Sequence, residues 1–382
     1  MSPAIRYYMP TEIITGVGCY EQLGKLALRL GRRALIVGSE GRRTLLLRSS
    51  ELVTRAGGDA LVYDGVAGEP TLDAVETVRA QAREFEAEVL IGIGGGSAID
   101  TAKAAAGLHR QPGSAAEYQQ GRRLEGARGL PLVAVPTTAG SGAEVTRNAV
   151  LLDPARGIKE SIRDDAWFPA VALVDPALTL TLPPEATAAT GADALCQAVE
   201  AYTSTGAGPL SDALAADAIA RIGRSLERAV VQGDDLAARS DMLYGSLQAG
   251  MAMVNARLGG VHGLAHPLGA RYGIAHGLLC GLLLPTVMAY NVSHAEAKYA
   301  QIARLLGLDT AGLSAAQAAR RAVAFVRDLV ARIGIPAHLG PLGVRAEDFD
   351  ALTTEALQQS SLGFNPRPLQ AADVRALLEQ AL

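Results

Sequence analysis

Glu88-Val89-Leu90-Ile91-Gly92-Ile93 runs without a break into Gly94-Gly95-Gly96-Ser97-Ala98-Ile99-Asp100-Thr101-Ala102-Lys103. The first six residues are a short apolar run, the pattern of a strand buried on both faces of a parallel sheet. Three glycines and a serine then make a turn, and an Ala-rich helix follows. A helix that starts on a glycine turn directs bare backbone N–H groups and the positive end of its dipole outward. It can therefore hold an anion such as a pyrophosphate. The spacing is not a strict GxGxxG, so the stretch alone is equally compatible with a plain tight turn.

Working outward, the same alternation repeats. Upstream, Glu12 to Thr15 reads as a strand, Tyr20 to Leu30 as an amphipathic helix and Ala34 to Gly38 as a buried strand. Arg43 to Ala56 reads as a helix, Asp59 to Tyr63 as a strand, and Thr71 to Phe85 as a helix capped by Thr71. Downstream, Leu132 to Val135 is a strand that ends in a second small-residue turn, Pro136-Thr137-Thr138-Ala139-Gly140-Ser141-Gly142, and Val171 to Val174 is another. Strands alternating with helices predict an α/β parallel sheet, Rossmann-like in its nucleotide-binding turns. Two such turns at strand carboxyl ends would line one crevice, where doubly wound sheets bind ligands. The hydroxyls of Thr137, Thr138 and Ser141 serve either that ligand or the capping of their own turns. After the strand at Ala34 to Val37, Glu40 could meet the ribose hydroxyls of NAD. Ser39 with Arg42 or Arg43 could instead accommodate NADP.

Leu182-Pro183-Pro184 marks a change in composition. Beyond it the chain is rich in Ala and Leu and reads as helical, over roughly 185–202, 209–231, 236–255, 262–270, 295–306, 315–333 and 371–380. Two domains are expected, a dinucleotide-binding α/β domain over 1–182 and an all-α domain over 183–382. The helical part contains Gly191-Ala192-Asp193-Ala194-Leu195-Cys196-Gln197-Ala198-Val199-Glu200, in which Asp193 and Gln197 share one helix face. It also contains His262, His266 and His276, three of the six histidines of the chain, in an apolar and glycine-rich setting. His262 and His266 repeat the spacing of four, and His276 follows a glycine bend. Imidazole is the commonest protein ligand for transition metals, and a buried carboxylate nearby needs a partner or an ion.

Composition narrows the classes. The 382 residues carry 39 acidic and 35 basic side chains, a net charge of −4 that gives nucleic acid no electrostatic handle. Cys19, Cys196 and Cys280 are odd in number and far apart, which suits reduced thiols. No basic start precedes a long apolar run, and stretches such as Gly277 to Pro285 are short for a bilayer. A cytoplasmic protein without a membrane partner is expected.

Taken together, these motifs resemble the iron-containing (group III) alcohol dehydrogenase family. The likeness covers Gly94-Gly95-Gly96-Ser97-x-x-Asp100-x-x-Lys103, the Pro136 to Thr146 stretch, Asp175-Pro176, the histidine block and Asn365-Pro366-Arg367. It implies a nucleotide-binding domain, a helical domain, and NAD(P) in the cleft between them. It further implies a divalent metal, Fe2+ or Zn2+, held at Asp193, Gln197, His262 and His276. Gln197 departs from the family pattern, which has histidine there. An amide oxygen is a weaker donor to such ions, so the resemblance implies metal binding that is weakened or dispensable.

By the same resemblance, Gly95, Gly96, Ser97, Thr137 and Thr138 contact the cofactor, and Lys159, closing the turn from Arg156, approaches the nicotinamide ribose. Asp100 and Lys103 are expected to be structural. His266 borders the substrate and either relays a proton or steadies a metal-bound water, with His262 beside it. The implied reaction interconverts an alcohol with an aldehyde or ketone by hydride transfer, the metal polarising the substrate oxygen. A metal-independent reductase resembling maleylacetate reductase and a dehydroquinate synthase-like lyase are the alternatives. Arg147 and Arg257 would favour an anionic substrate if they face it; the preferred reading is that either arginine pairs with Glu144 or sits in solvent. A homodimer or larger homo-oligomer is expected from the family.

Overall fold

Six strands in the first half of the chain form one parallel sheet, which from edge to edge runs Glu12–Thr15, Val171–Val174, Leu132–Pro136, Val89–Gly94, Arg33–Val37 and Asp59–Tyr63. A computed structural model gives this arrangement and describes residues 5–126 and 129–382. The elements are β1 (Glu12–Thr15), α1 (Leu23–Leu30), β2 (Arg33–Val37), α2 (Arg43–Arg55), β3 (Asp59–Tyr63), α3 (Leu72–Glu84), β4 (Val89–Gly94) and α4 (Gly96–Leu108). They continue through α5 (Ala115–Gln119), β5 (Leu132–Pro136), β6 (Asn148–Asp153), β7 (Ile158–Arg163) and β8 (Val171–Val174). Alternate residues of each strand face opposite ways. Leu35, Val37, Leu90 and Leu132 join one buried cluster with residues of α3 and α4. Ala34, Ile36, Ile91, Val133 and Val135 join another with residues of α1 and α2. Thr71 caps α3 by accepting the N–H of Ala74 at 3.1 Å, as its position predicts.

β6 and β7 form an antiparallel hairpin, paired from Asn148 with Arg163 to Asp153 with Ile158. The sequence reading placed a turn there and no strands. The turn is real: Asp153 Oδ1 accepts the N–H of Ala155 at 3.0 Å and Gly157 takes φ +64°. The flanking strands were obscured for two reasons: β6 is apolar on both faces, with Val150 and Leu152 half-buried opposite Ala149 and Leu151, and β7 buries only Ile162 among Lys159, Glu160 and Arg163.

The second half is helical: α6 (Pro184–Thr203), α7 (Pro209–Val231), α8 (Leu236–Ala256), α9 (Gly260–Tyr272), α10 (His276–Asn291), α11 (Glu296–Leu305), α12 (Ala315–Arg332), α13 (Phe349–Leu357) and α14 (Ala371–Ala381). α10 and α13 add to the helices expected from sequence. The apolar run at Gly277 to Pro285 belongs to a helical stretch, His276–His294, that has the length and apolarity of a membrane span. More than half of that stretch is buried within the protein, the behaviour of a core helix.

Compact units follow the two halves with an exchange of segments. One unit comprises residues 9–138 and 142–179. The other comprises 180–382 together with the short pieces 139–141 and 5–8. In the helical unit Ser246 Oγ donates to Gly140 O at 3.1 Å. Tyr8 and Asn255 hold each other by two hydrogen bonds, Tyr8 N–H to Asn255 Oδ1 at 2.8 Å and Asn255 Nδ2 to Tyr8 O at 3.3 Å.

Candidate metal centre

Two glycines set the site by letting α10 lie against α6. A Cβ on Gly277 would stand 2.3 Å from Ala189 O, and one on Gly281 would stand 2.9 Å from Ala192 Cβ. This close approach brings His276 and Cys280, one turn apart on α10, to Asp193 on α6. α9 supplies His262 and His266.

The donor atoms converge. His262 Nε2 lies 3.4 Å from Asp193 Oδ1, and His276 Nε2 lies 3.8 Å from the same oxygen. Cys280 Sγ is 3.5 Å from His276 Nε2 and 3.9 Å from His262 Nε2. All four atoms fall within 4.8 Å of one another. Asp193 is 5 % exposed, yet its Oδ1 has no hydrogen-bond donor. Gln197 Oε1 is likewise buried without a donor, one turn along α6. A buried acceptor without a donor is costly unless something electropositive meets it. The carboxylate, the two imidazoles and their mutual distances therefore fit a divalent metal.

Around this cluster, further groups fix the ring positions. Glu200 Oε2 is 2.6 Å from His262 Nδ1, and Glu200 Oε1 accepts the N–H of Val261 at 2.6 Å. A carboxylate only accepts, so His262 carries a proton on Nδ1, and Nε2 is the nitrogen left to face the cluster. Asn365 Oδ1 accepts the N–H of Gly260 at 3.1 Å and exchanges amide hydrogen bonds with Asn291. The Asn365-Pro366-Arg367 motif thus anchors the first turn of α9. His266 is partly buried, with Nδ1 3.3 Å from Gln359 Oε1 and its ring stacked on His276 at 5.2 Å.

Charge is concentrated here. Burial favours a neutral His262, but Cys280, Glu200 and Asp193 raise its pKa well above the ordinary value. His276 is shifted the same way: burial opposes the charged ring, and Cys280 and Asp193 outweigh it. Burial would push the Cys280 thiol up, yet the hydrogen bond from Cys196 and the imidazoles of His276 and His262 hold it well below its usual range. Cys196 and Cys280, distant in sequence, therefore meet in this cluster. The sequence reading missed Glu200 and Cys280. The signal was present: Glu200 lies seven residues after Asp193 on an apolar helix, and Cys280 lies four after His276.

In the sheet unit, the two small-residue turns are neighbours. Gly94 pairs with Pro136 in register, and Thr137 N–H donates to Gly94 O at 2.9 Å. Gly94 takes φ +149°, and a Cβ on Gly95 would approach Thr138 to 3.3 Å, so this turn has little room for side chains. Gly96 and Ser97 open α4. Ser39 follows β2 and bridges to Gly65, while Arg43 forms an ion pair with Asp64. Lys159 lies at the start of β7, with Nζ 2.7 Å from Glu69. Lys103 is buried and donates to Ala143 O, Asn148 O and Thr146 Oγ1 at 2.8, 2.8 and 3.0 Å, with Asp100 at 3.3 Å. The pair is structural, as the sequence suggested. Arg147 pairs with Asp165, not with Glu144. Glu144 is turned inward, and burial raises its pKa to about 7 against the pull of its own backbone hydrogen bond and Lys103.

Comparison with known proteins agrees with this geometry. The model of iron-containing alcohol dehydrogenases matches residues 10–176, and the model of the C-terminal region of the Fe-containing alcohol dehydrogenase family matches residues 187–382. Long-chain-alcohol dehydrogenase 1 of Geobacillus thermodenitrificans is 41 % identical over 382 residues, covering 98 % of this chain and 96 % of that protein. The 1,3-propanediol dehydrogenase of Klebsiella pneumoniae is 37 % identical, covering 99 % and 97 %. A crystal structure of 1,3-propanediol oxidoreductase superposes with a TM-score of 0.96 at 37 % identity over the whole of both chains. The chain belongs to the iron-containing alcohol dehydrogenase family and is a nicotinamide-dependent oxidoreductase that interconverts alcohols and carbonyl compounds.

Proposed function

We propose that Asp193, His262 and His276 hold a divalent metal and that the chain reduces a small aldehyde or ketone, or oxidises the matching alcohol, with NAD. The observation that carries this reading is the convergence of Asp193 Oδ1, His262 Nε2 and His276 Nε2 around a carboxylate oxygen with no hydrogen-bond donor. A metal bound there supplies Lewis acidity to the substrate oxygen, and the nicotinamide supplies or accepts the hydride. Glu200 keeps the His262 ring in one tautomer. His266, beside the cluster and tied to Gln359, passes the substrate proton to or from solvent.

On the sheet unit, Gly95, Gly96 and Ser97 at the start of α4, with Thr137 and Thr138, receive the cofactor phosphates and the nicotinamide half. Ser39 and Glu40 take the adenosine end. Arg43 is already paired with Asp64, which favours NAD over NADP. Lys159 steadies the ribose once it leaves Glu69. With Arg147 paired to Asp165 and Arg257 lying 5.9 Å over the Phe364 ring, an uncharged substrate is preferred. We assign the dinucleotide role to residues 1–182 and the metal and substrate role to 183–382, and we place the enzyme in the cytoplasm as a homodimer or larger assembly.

The test is to strip the protein with chelator and reload it with Fe(II) or Zn(II), following metal content and aldehyde-dependent NADH oxidation. Activity that returns with one equivalent of metal supports the reading. A stripped protein that stays fully active identifies the metal-independent reductase instead, and cofactor binding without net turnover identifies the lyase.

A further inference from the structure

We propose that Cys280 Sγ, and not Gln197, is the fourth protein donor of the metal centre, giving a set of one carboxylate, two imidazoles and one thiolate. The inference rests on the reading that Asp193, His262 and His276 bind a metal, and adds to it which residue completes the set and which ions it prefers.

For a tetrahedral ion with bonds of about 2.0–2.1 Å to nitrogen or oxygen and about 2.3 Å to sulfur, donors stand apart by about 3.3 Å for N···O and about 3.6 Å for N···S. The N···O separations here are 3.4 and 3.8 Å. The N···S separations are 3.5 and 3.9 Å. The position of Sγ is set by the backbone: Cys280 lies between Gly277 and Gly281, whose missing side chains bring α10 onto α6. Asp193 Oδ1, buried and without a donor, faces the same two imidazole nitrogens.

The other thiol is on the wrong side of the ring. Cys196 Sγ lies 3.8 Å from His262 Nδ1, but that nitrogen is engaged by Glu200 at 2.6 Å. Only Nε2 is available, and it faces Cys280. Gln197 Oε1 is also buried without a donor, but a neutral amide oxygen is a poorer ligand for zinc or cobalt than a thiolate. When the ion binds, the Cys280 S–H bond gives its proton to solvent and a sulfur–metal bond forms, with no change in oxidation state. A thiolate in the set moves the preference towards zinc and cobalt and away from magnesium and manganese.

Cobalt(II) tests this on the intact protein. Stripped protein loaded with Co(II) should show the visible ligand-field bands of a four-coordinate ion together with a near-ultraviolet thiolate-to-cobalt charge-transfer band. Cys280→Ser should lose the charge-transfer band and keep weaker ligand-field bands, and Cys196→Ser should keep both. Competition against a metal indicator should show Cys280→Ser binding zinc at least about 100-fold more weakly, the upper range for losing even an outer partner of a ligand. Ligand-field bands without charge transfer in the unaltered protein would overturn the assignment of Cys280 while leaving the metal centre standing. A charge-transfer band abolished by Cys196→Ser alone would move the thiolate to Cys196. Failure to take up Co(II) at all would remove the metal reading and this proposal together.

Discussion

Glu200 Oε2 lies 2.6 Å from His262 Nδ1, while the other oxygen of the same carboxylate holds the backbone of Val261. One side chain on α6 therefore both orients an imidazole and caps the helix that carries it. Glu200→Gln keeps the shape but offers either a neutral oxygen or an N–H to the ring. Metal affinity is expected to fall by about 10–100-fold with little loss of fold. A metal-indicator titration alongside thermal melting checks this; unchanged affinity would mean that the ring is oriented by something else.

The closeness of α10 to α6 gives a second expectation. In Gly277→Ala the new methyl would meet Ala189 O at 2.3 Å, so α10 must move outward and carry His276 with it. Overpacking of this kind costs about 1–3 kcal/mol. The metal affinity of the folded variant should drop by more than about tenfold, since misplaced ligands lose more than misplaced partners. Equal metal affinity in the folded variant would show that the two helices are free to separate.

Lys103 joins α4 to Ala143 and Thr146 before the hairpin and to Asn148 at its start through three uncharged acceptors, and it pairs with Asp100 on its own helix. Asp100 in turn accepts the N–H of Val150 at 3.0 Å. Lys103→Ala leaves a buried carboxylate without its cation and should cost about 3–5 kcal/mol in denaturant unfolding. Replacing both partners, in Lys103→Met with Asp100→Asn, should recover part of that loss. Full additivity of the two changes would show that the residues do not interact.

Glu144 makes stability depend on pH. Its pKa in the folded protein is about 7, raised by burial from 4.5. The fold therefore favours the protonated carboxyl. The stabilisation is fully present below the unfolded pKa and is lost as pH rises through about 7, a change of roughly 3 kcal/mol. Glu144→Gln removes this term, so its unfolding free energy should fall less than that of the unaltered protein between about pH 5 and pH 8. Parallel pH profiles for the two proteins would place the Glu144 charge in solvent.

Much of the fold is legible in the sequence. The apolar runs at Val89 to Ile93 and Leu132 to Val135 could only be buried parallel strands, and both are. Asp193, His262 and His276 stood out because those residue types are rare in so apolar a setting, and the fold brings them together. What escaped were features that depend on which helices touch. The place of Cys280 is fixed by Gly277 and Gly281 pressing on α6, a contact between segments about 90 residues apart that no local pattern encodes. The β6–β7 hairpin escaped for another reason. β6 is apolar on both faces and β7 buries Ile162 alone among charges, so the alternation that marks a strand was faint.

The bond between Tyr8 and Asn255 also has a consequence for synthesis. The two residues are 247 positions apart, so Tyr8 leaves the ribosome long before its partner exists. At about 5–20 residues per second the wait is about 12–50 s. Through that interval the sheet unit can form, while residues 5–8 still lack the partner that holds Tyr8. These residues are thus among the later parts of the described chain to find their native neighbours.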